Sequence, residues 1–97
     1  MRVVPDRVTR GGGTALRIEG DDFAGHGPAA VYVGTRSAKA IIVESRWLIR
    51  AVSGETDELG PVDVQISFSD GTSHVIEQAV TIEEETGVVL RPGGKPR

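Results

Sequence analysis

The chain has no cysteine among its 97 residues, so disulfides, thiol nucleophiles and zinc sites built on thiolates are excluded. Aromatic side chains are also few: one tryptophan, one tyrosine and two phenylalanines. No apolar run approaches the roughly 20 residues of a membrane-spanning helix, and we expect no membrane insertion. No apolar segment of the signal-peptide type follows Met1. We therefore expect a cytoplasmic protein or a component of an assembly that is secreted by another route.

A concentrated positive charge is missing as well. The 11 lysines and arginines are scattered among 14 acidic residues, and the net charge is −3. Nucleic-acid binding takes much of its affinity from a clustered cationic surface. We therefore predict no nucleic-acid partner.

The apolar residues that are present recur at every second position, which is typical of a strand with one buried face. In the clearest case, segment 62–68, the side chains predicted to share the buried face are Val62, Val64, Ile66 and Phe68. Asp70-Gly71 follows this segment and predicts a two-residue hairpin turn, because both residues tolerate positive φ. The returning strand is predicted to cover residues 72–76.

Shorter alternating segments predict further strands at 15–19, 30–33, 47–52 and 79–82, and one or two strands within 37–43. Within segment 37–43 the predicted inward set is Ala38, Ala40 and Ile42, and within 47–52 it is Ile49 and Ala51. No window of about twelve residues shows helical spacing of apolar side chains. Short strands at regular spacing with turn residues between them indicate an all-β sandwich or a small barrel.

Across residues 5–82 a series of motifs occurs in a fixed order: Pro5, Gly12-Gly13-Thr14, Leu16-Arg17-Ile18-Glu19-Gly20, Asp21-Asp22-Phe23, Val31-Tyr32-Val33-Gly34, Ile49-Arg50-Ala51 and Gly60-Pro61-Val62-Asp63-Val64. This order of motifs resembles that of IPT/TIG domains. This resemblance implies an immunoglobulin-like β-sandwich of about seven short antiparallel strands over residues 1–85. Phe23 is placed to plug one end of such a sandwich.

Two departures from the family pattern concern the later strands. Ser53 stands where IPT/TIG domains usually have a proline. Val80 and Ile82 replace the aromatic pair that often closes the final strand. Both changes are compatible with the fold and affect details of that edge.

Residues 86–97 form a C-terminal extension beyond the family likeness. Val88-Val89-Leu90 is apolar, and the remainder is basic and rich in glycine and proline. One interpretation lets the apolar triplet prolong the last strand or lie on its own domain. The other lets it add a strand to the open sheet edge of a neighbour. We expect an extension that is partly disordered or strand-adding.

Candidate residues for chemistry do not form a recognisable set. His26 and His74 have no serine or cysteine partner in a triad pattern, and we interpret both as exposed, solvated side chains. Asp21-Asp22 lacks the spaced oxygen ligands of a calcium loop and is explained by a turn. We predict no catalytic residue, no metal site and no cofactor.

Candidate partner contacts are apolar side chains that alternate with the predicted core residues and therefore face outward. Tyr32 alternates with Val31 and Val33, and Leu48 alternates with Ile49, so both are predicted to face outward. Trp47, the single tryptophan, is interpreted as the anchor of a core edge or an interface. The predicted partner contacts are Tyr32, Trp47, Leu48, Val88, Val89 and Leu90.

The function expected from this reading is contact rather than catalysis. The resemblance implies a non-enzymatic immunoglobulin-like module that mediates protein–protein contact or assembly, through a protein partner or self-association, in a bacterial or phage-like structure. The alternative is a carbohydrate-binding accessory domain, because IPT/TIG-like modules accompany enzymes that act on polysaccharides. Exposed aromatic rings would favour the alternative.

Overall fold

A computed structural model describes residues 1–84, which form nine β-strands and no helix. The strands are β1 (Arg2–Val4), β2 (Arg7–Thr9), β3 (Ala15–Glu19), β4 (Ala29–Val33), β5 (Arg36–Ser37), β6 (Lys39–Ser45), β7 (Leu48–Val52), β8 (Gly60–Phe68) and β9 (Ser73–Glu83). The predicted all-β class is therefore confirmed for this part of the chain.

The strands make two sheets. The four-stranded sheet has the order β1-β3-β7-β6, and the five-stranded sheet has the order β2-β9-β8-β4-β5. Every neighbouring pair is antiparallel except β2 with β9, which is parallel. The prediction of about seven antiparallel strands thus missed β1 and β2, which are too short to show a repeating pattern. Segment 37–43, predicted as one or two strands, corresponds to the end of the two-residue β5 and most of β6.

Both sheets contribute side chains to one buried core, as in a β-sandwich. Its members include the inward residues predicted for β3, β4, β7 and β8: Leu16, Ile18, Val31, Val33, Ile49, Ala51, Val64, Ile66 and Phe68. Val62 is only half-buried and packs at the rim of the core. The period-two pattern therefore predicted the correct buried face in each of these four strands.

The inward set predicted for segment 37–43 is wrong after Ala38. Ala38 is buried, but Ala40 is exposed with a φ of +51°, and Ile42 is exposed. The pairing of β6 with β7 shifts register between Lys39 and Ile42, as at a β-bulge. Because this shift resets the alternation, Ile41 and Val43 pack against the core while Ile42 faces outward.

The β8–β9 hairpin has a three-residue loop, not the predicted two-residue turn. Gly71 donates its N–H to the Phe68 carbonyl at 3.0 Å, and Phe68 donates its N–H to the Thr72 carbonyl at 2.8 Å. Gly71 has a φ of +94°, and Asp70 is not among the residues with positive φ. The loop is therefore a turn that ends in a left-handed glycine.

The two strands predicted at 72–76 and 79–82 form one continuous strand, β9. Gln78 has a φ of +48°, and the pairing of β8 with β9 shifts register between Val62 and Val64. The Gln78 N–H donates to the Asp63 carboxylate at 2.9 Å, which satisfies the amide at this irregularity. The strand bends here without ending.

Phe23 closes one end of the sandwich, as predicted from its position. It follows β3, is fully buried, and donates its backbone N–H to the Arg46 carbonyl at 3.1 Å. Its ring centroid lies 6.5 Å from that of Phe68 and 5.9 Å from that of His74, the latter edge-on. The β3–β4 loop is thereby attached to both sheets.

Candidate functional site

The outer face of the four-stranded sheet carries an open apolar groove of about 440 Å³. Cross-strand register places four outward residues in one row, in the order Val4, Arg17, Arg50 and Ile42. The apolar outer lining consists of Val4, Pro5, Ala15, Ala40, Ile42 and Val52. Apolar side chains therefore stand at both ends of the row, with two arginines between them.

The strands of this sheet are basic although the whole chain is acidic. They carry four basic residues against two acidic ones: Arg2, Arg17, Lys39 and Arg50 against Glu19 and Glu44. The strands of the five-stranded sheet carry two basic residues against three acidic ones: Arg7 and Arg36 against Asp63, Glu77 and Glu83. Both arginines of the row already have acidic neighbours in the same sheet: Arg17 lies 3.8 Å from the Glu19 carboxylate and Arg50 lies 3.4 Å from the Glu44 carboxylate. The groove therefore suits a ligand segment with apolar side chains.

Strand β6 forms one edge of the four-stranded sheet and pairs only with β7. At seven residues it is the longest edge strand in residues 1–84; β1 and β2 have three residues each and β5 has two. Its centre, Ile41-Ile42-Val43, carries none of the charges that commonly protect edges. An edge of this kind can accept an added strand through its backbone N–H and C=O groups.

The predicted contact residues do not form one cluster. Tyr32 is exposed and faces outward from β4 in the five-stranded sheet, whereas Leu48 is half-buried and faces outward from β7 in the four-stranded sheet. The two side chains therefore point to opposite sides of the sandwich. Trp47 lies in the β6–β7 turn beside Leu48. Val88, Val89 and Leu90 lie outside the described residues.

Trp47 does not anchor a core edge. Its side chain is 60% exposed, and the Arg46 guanidinium carbon lies 5.5 Å from the centre of its ring. Arg46 also donates from Nε to Asp21 at 3.2 Å. The indole is therefore a surface group next to a fixed cation.

Sequence reasoning missed the two apolar ends of the groove. Ile42 was assigned inward because the sequence carries no sign of the bulge at Ala40. Val4 belongs to a three-residue strand, which is too short to display alternation. The signal that was available for Ile42 was its place in an uncharged run of β-branched residues.

His26 joins two loops at the Phe23 end of the sandwich. Its Nδ1 lies 2.6 Å from the Asp70 carboxylate of the β8–β9 loop, and its Nε2 lies 3.2 Å from the Asp22 carboxylate of the β3–β4 loop. The ring packs 5.1 Å from Phe68, and only 20% of the side chain is exposed. The interpretation of His26 as an exposed, solvated residue is therefore wrong.

The surroundings of His26 favour its protonated form, in which both ring nitrogens donate. Hydrogen bonds to Asp70 and then Asp22 raise the pKa of His26 above its ordinary value. The backbone N–H of Thr72, followed by the His26 ring, lowers the pKa of Asp70 to about 2. Since the ring nitrogens point to opposite sides, the two carboxylates do not converge on a common point.

His74 is not a solvated surface residue either. Its Nε2 is buried without a hydrogen-bond partner in the structure. The ring lies edge-on to Phe23 and Phe68, with centroid distances of 5.9 and 6.1 Å. His74 therefore acts as a packing residue in the same aromatic end of the core.

A pH dependence of stability follows from the His26 contacts. A histidine with a raised pKa stabilises the fold below its unfolded value of 6.5, and this contribution is lost as pH rises through the folded pKa. The stabilising contribution of Asp70 is present above pH 3.8, the unfolded pKa of its carboxyl, and is lost as pH falls toward 2. We therefore expect the contact between the β3–β4 and β8–β9 loops to be most stable between about pH 3.8 and pH 6.5.

The variant His26→Gln tests this dependence. Urea unfolding of the parent chain should lose stability between pH 6 and pH 8, and the variant should lose less across the same interval. His74 is unchanged in both proteins, so the difference between them reports on His26. Equal slopes against pH in the two proteins would rule out the contribution.

Within residues 1–84, no group of three or more histidine, aspartate or glutamate side chains is arranged to hold a metal ion. The same part of the chain contains no helix with the length and apolar character needed to cross a membrane. No protein-family model matches the chain, and no curated protein is detectably similar to it. The IPT/TIG likeness therefore rests on the sequence motifs.

Proposed function

We propose that this chain is an immunoglobulin-like module of the IPT/TIG type that works by protein–protein contact, without catalysis. The positions of the motif residues support the proposal. Phe23 plugs one end of the two sheets, Val31 and Val33 are buried, and Gly34 has a φ of +62° directly after them. A rigid sandwich of this kind holds its outer faces in fixed positions for a partner.

The observation that carries the contact function is the outer face of the four-stranded sheet. An apolar groove lies there between Val4 and Ile42, Arg17 and Arg50 cross it, and the uncharged centre of β6 borders it. The partner that fits is an extended segment with apolar side chains for the groove. Its backbone would pair with β6.

Two matched substitutions test this surface. Ile42 and Val75 are both β-branched and equally exposed, at 54% and 55%, but Ile42 belongs to β6 and Val75 to the five-stranded sheet. Ile42→Asp should weaken binding of a purified partner roughly tenfold or more, since a carboxylate would enter an apolar contact. Val75→Asp should leave binding unchanged.

The partner for this titration is a protein that the immobilised parent chain retains from extract of the source cells. Recovery alone does not support the proposal; the difference between the two variants does. Both variants should unfold within about 0.5 kcal/mol of the parent, because both positions are exposed. Equal weakening by the two substitutions, or weakening by Val75→Asp alone, would refute this contact surface.

The alternative function, carbohydrate binding, is favoured by the exposed ring of Trp47. Sugar platforms usually combine several rings, and here Tyr32 lies on the opposite side of the sandwich while Arg46 stands over Trp47. Because Trp47 is the single tryptophan, its fluorescence reports directly on this site. Unchanged emission on titration with glucan oligosaccharides is expected for the contact function, and a saturable shift would favour the alternative.

A further inference from the structure

We propose that Asp70-Gly71 is a site of spontaneous covalent modification, in which the aspartate isomerises to isoaspartate, and that His26 holds the site in its unmodified form. The chain contains no asparagine, and Asp70 is its only aspartate followed by glycine. Each of the other aspartates precedes a residue with a side chain, which hinders attack by that residue's backbone nitrogen. The site lies in the β8–β9 loop and does not depend on the proposed contact face.

The reaction needs only water and the groups of these two residues. The Gly71 backbone nitrogen forms a bond to the side-chain carboxyl carbon of Asp70, and the carboxyl hydroxyl leaves as water with the amide proton. The product is a five-membered succinimide ring. One water then adds to either ring carbonyl. Addition at the side-chain carbonyl restores aspartate, and addition at the main-chain carbonyl gives isoaspartate, whose main chain runs through the Asp70 Cβ.

Three hydrogen bonds in the loop oppose ring closure, which requires a carboxyl that can turn and an amide nitrogen that can attack. One oxygen of the Asp70 carboxylate accepts the Thr72 backbone N–H at 2.9 Å. The other oxygen lies 2.6 Å from Nδ1 of His26. The Gly71 N–H donates to the Phe68 carbonyl at 3.0 Å. Both reacting groups are therefore already engaged.

The same contacts keep the Asp70 carboxyl ionised, whereas ring closure needs the protonated form because the hydroxyl must leave. The Thr72 backbone N–H, followed by the His26 ring, lowers the pKa of Asp70 from 3.8 to about 2. Asp22, the other charged group at this ring, lies on its far side at Nε2. The protonated carboxyl is thus more than about tenfold rarer near neutral pH than in a free chain.

His26 is the one contact of these three that comes from outside the hairpin. Thr72 and Phe68 flank the loop itself, so the turn brings them to Asp70 and Gly71 directly. The His26 ring comes from the β3–β4 loop and is held in place 5.1 Å from the Phe68 ring. Asp70 and Gly71 are both exposed, so packing does not shield them from water. Replacing His26 therefore releases one carboxylate oxygen and leaves the turn intact.

Isomerisation would break the contact that joins the two loops. It adds one atom to the main chain of a three-residue loop, and it attaches the carboxylate to Cα instead of Cβ. The carboxylate is thereby displaced from His26. We expect the isomerised protein to lose the pH dependence of stability that the contact between His26 and Asp70 provides.

Storage of the full-length chain for several weeks at about pH 6 tests the proposal, with isoaspartate measured by peptide mapping and electron-transfer fragmentation. The parent chain unfolded in guanidinium chloride should isomerise at position 70 roughly tenfold faster or more than the folded parent. The folded variant His26→Gln should isomerise several times faster than the folded parent. Gly13→Ala is the control, because it destabilises the fold at the opposite end of β3; it should isomerise as slowly as the parent.

Equal rates in the folded and unfolded parent, or in the folded parent and His26→Gln, would overturn the protective role. An acceleration by Gly13→Ala as large as that by His26→Gln would also overturn it, because global unfolding would then control the reaction. A second measurement uses the isomerised parent, separated by chromatography. Its urea stability should vary with pH as weakly as that of His26→Gln, and an unchanged pH dependence would refute Asp70 as the group that His26 holds.

Discussion

Phe23→Ala should lower the free energy of unfolding by about 3–5 kcal/mol, the range typical of a buried phenylalanine. The Phe23 ring is fully buried and packs against Phe68 and His74, which come from the opposite sheet. Its removal leaves a cavity at one end of the core. A domain of this size has only about 5–15 kcal/mol of stability in total.

The matched control is Trp47→Ala, which removes a larger aromatic ring from the surface. Trp47 is mostly exposed, so its loss should cost less than about 1 kcal/mol. Urea unfolding followed by circular dichroism measures both variants without depending on tryptophan emission. Equal destabilisation by the two substitutions would mean that Phe23 does not close the core.

Gly12→Ala should cost about 2–4 kcal/mol from two separate causes. Gly12 has a φ of +82°, a conformation that costs a residue with a Cβ about 1–2 kcal/mol. In addition, an added Cβ would lie 2.8 Å from the carbonyl carbon of Gly54 and 2.9 Å from the backbone nitrogen of Glu55. Backbone atoms cannot rotate away as a flexible side chain can, so the loop after β7 must shift.

Gly13→Ala isolates the first cause from the second. Gly13 has a similar φ of +87°, but an added Cβ would meet no heavy atom within 4 Å. This variant should lose only about 1–2 kcal/mol in the same unfolding experiment. If both substitutions cost the same, the close approach of the 12–13 turn to Gly54 is absent in solution.

The long strands could be predicted because their alternation repeats often enough to fix a period. In β8, Val64, Ile66 and Phe68 occupy every second position and all three are buried. β1 and β2 have three residues each, and a single buried residue in a strand of three does not define a period. Strand length, rather than composition, therefore separated the strands that were predicted from those that were missed.

The contact face and the His26–Asp70 contact depend on backbone geometry and on long-range packing, which a sequence pattern does not contain. Ala40 adopts positive φ although alanine gives no hint of it, and this one residue turns Ile42 from the core to the surface. His26 and Asp70 are 44 residues apart in the chain and meet only because the two loops close the same end of the sandwich. Which strand lies at an edge is likewise a property of sheet order.

The exposure of Trp47 also depends on backbone geometry that its residue type does not predict. A single tryptophan in a small domain is an obvious choice for a buried anchor, yet here Phe23 occupies the end of the core. Trp47 falls in a two-residue turn between β6 and β7, where the chain reverses outside the sandwich. Residue type left a core edge and an interface open for Trp47, and its place in an exposed turn excludes the core edge.

The central claim is that this protein makes its contacts through the outer face of the four-stranded sheet and the edge strand β6. Site-specific photo-cross-linking of the full-length chain tests it most directly, with the photoreactive side chain placed at position 42 or, as the control, at position 75. Position 42 should yield cross-linked products with a protein partner, with a second copy of the chain, or with both, and position 75 should yield neither. Products from position 75 in equal or greater amount would contradict the claim.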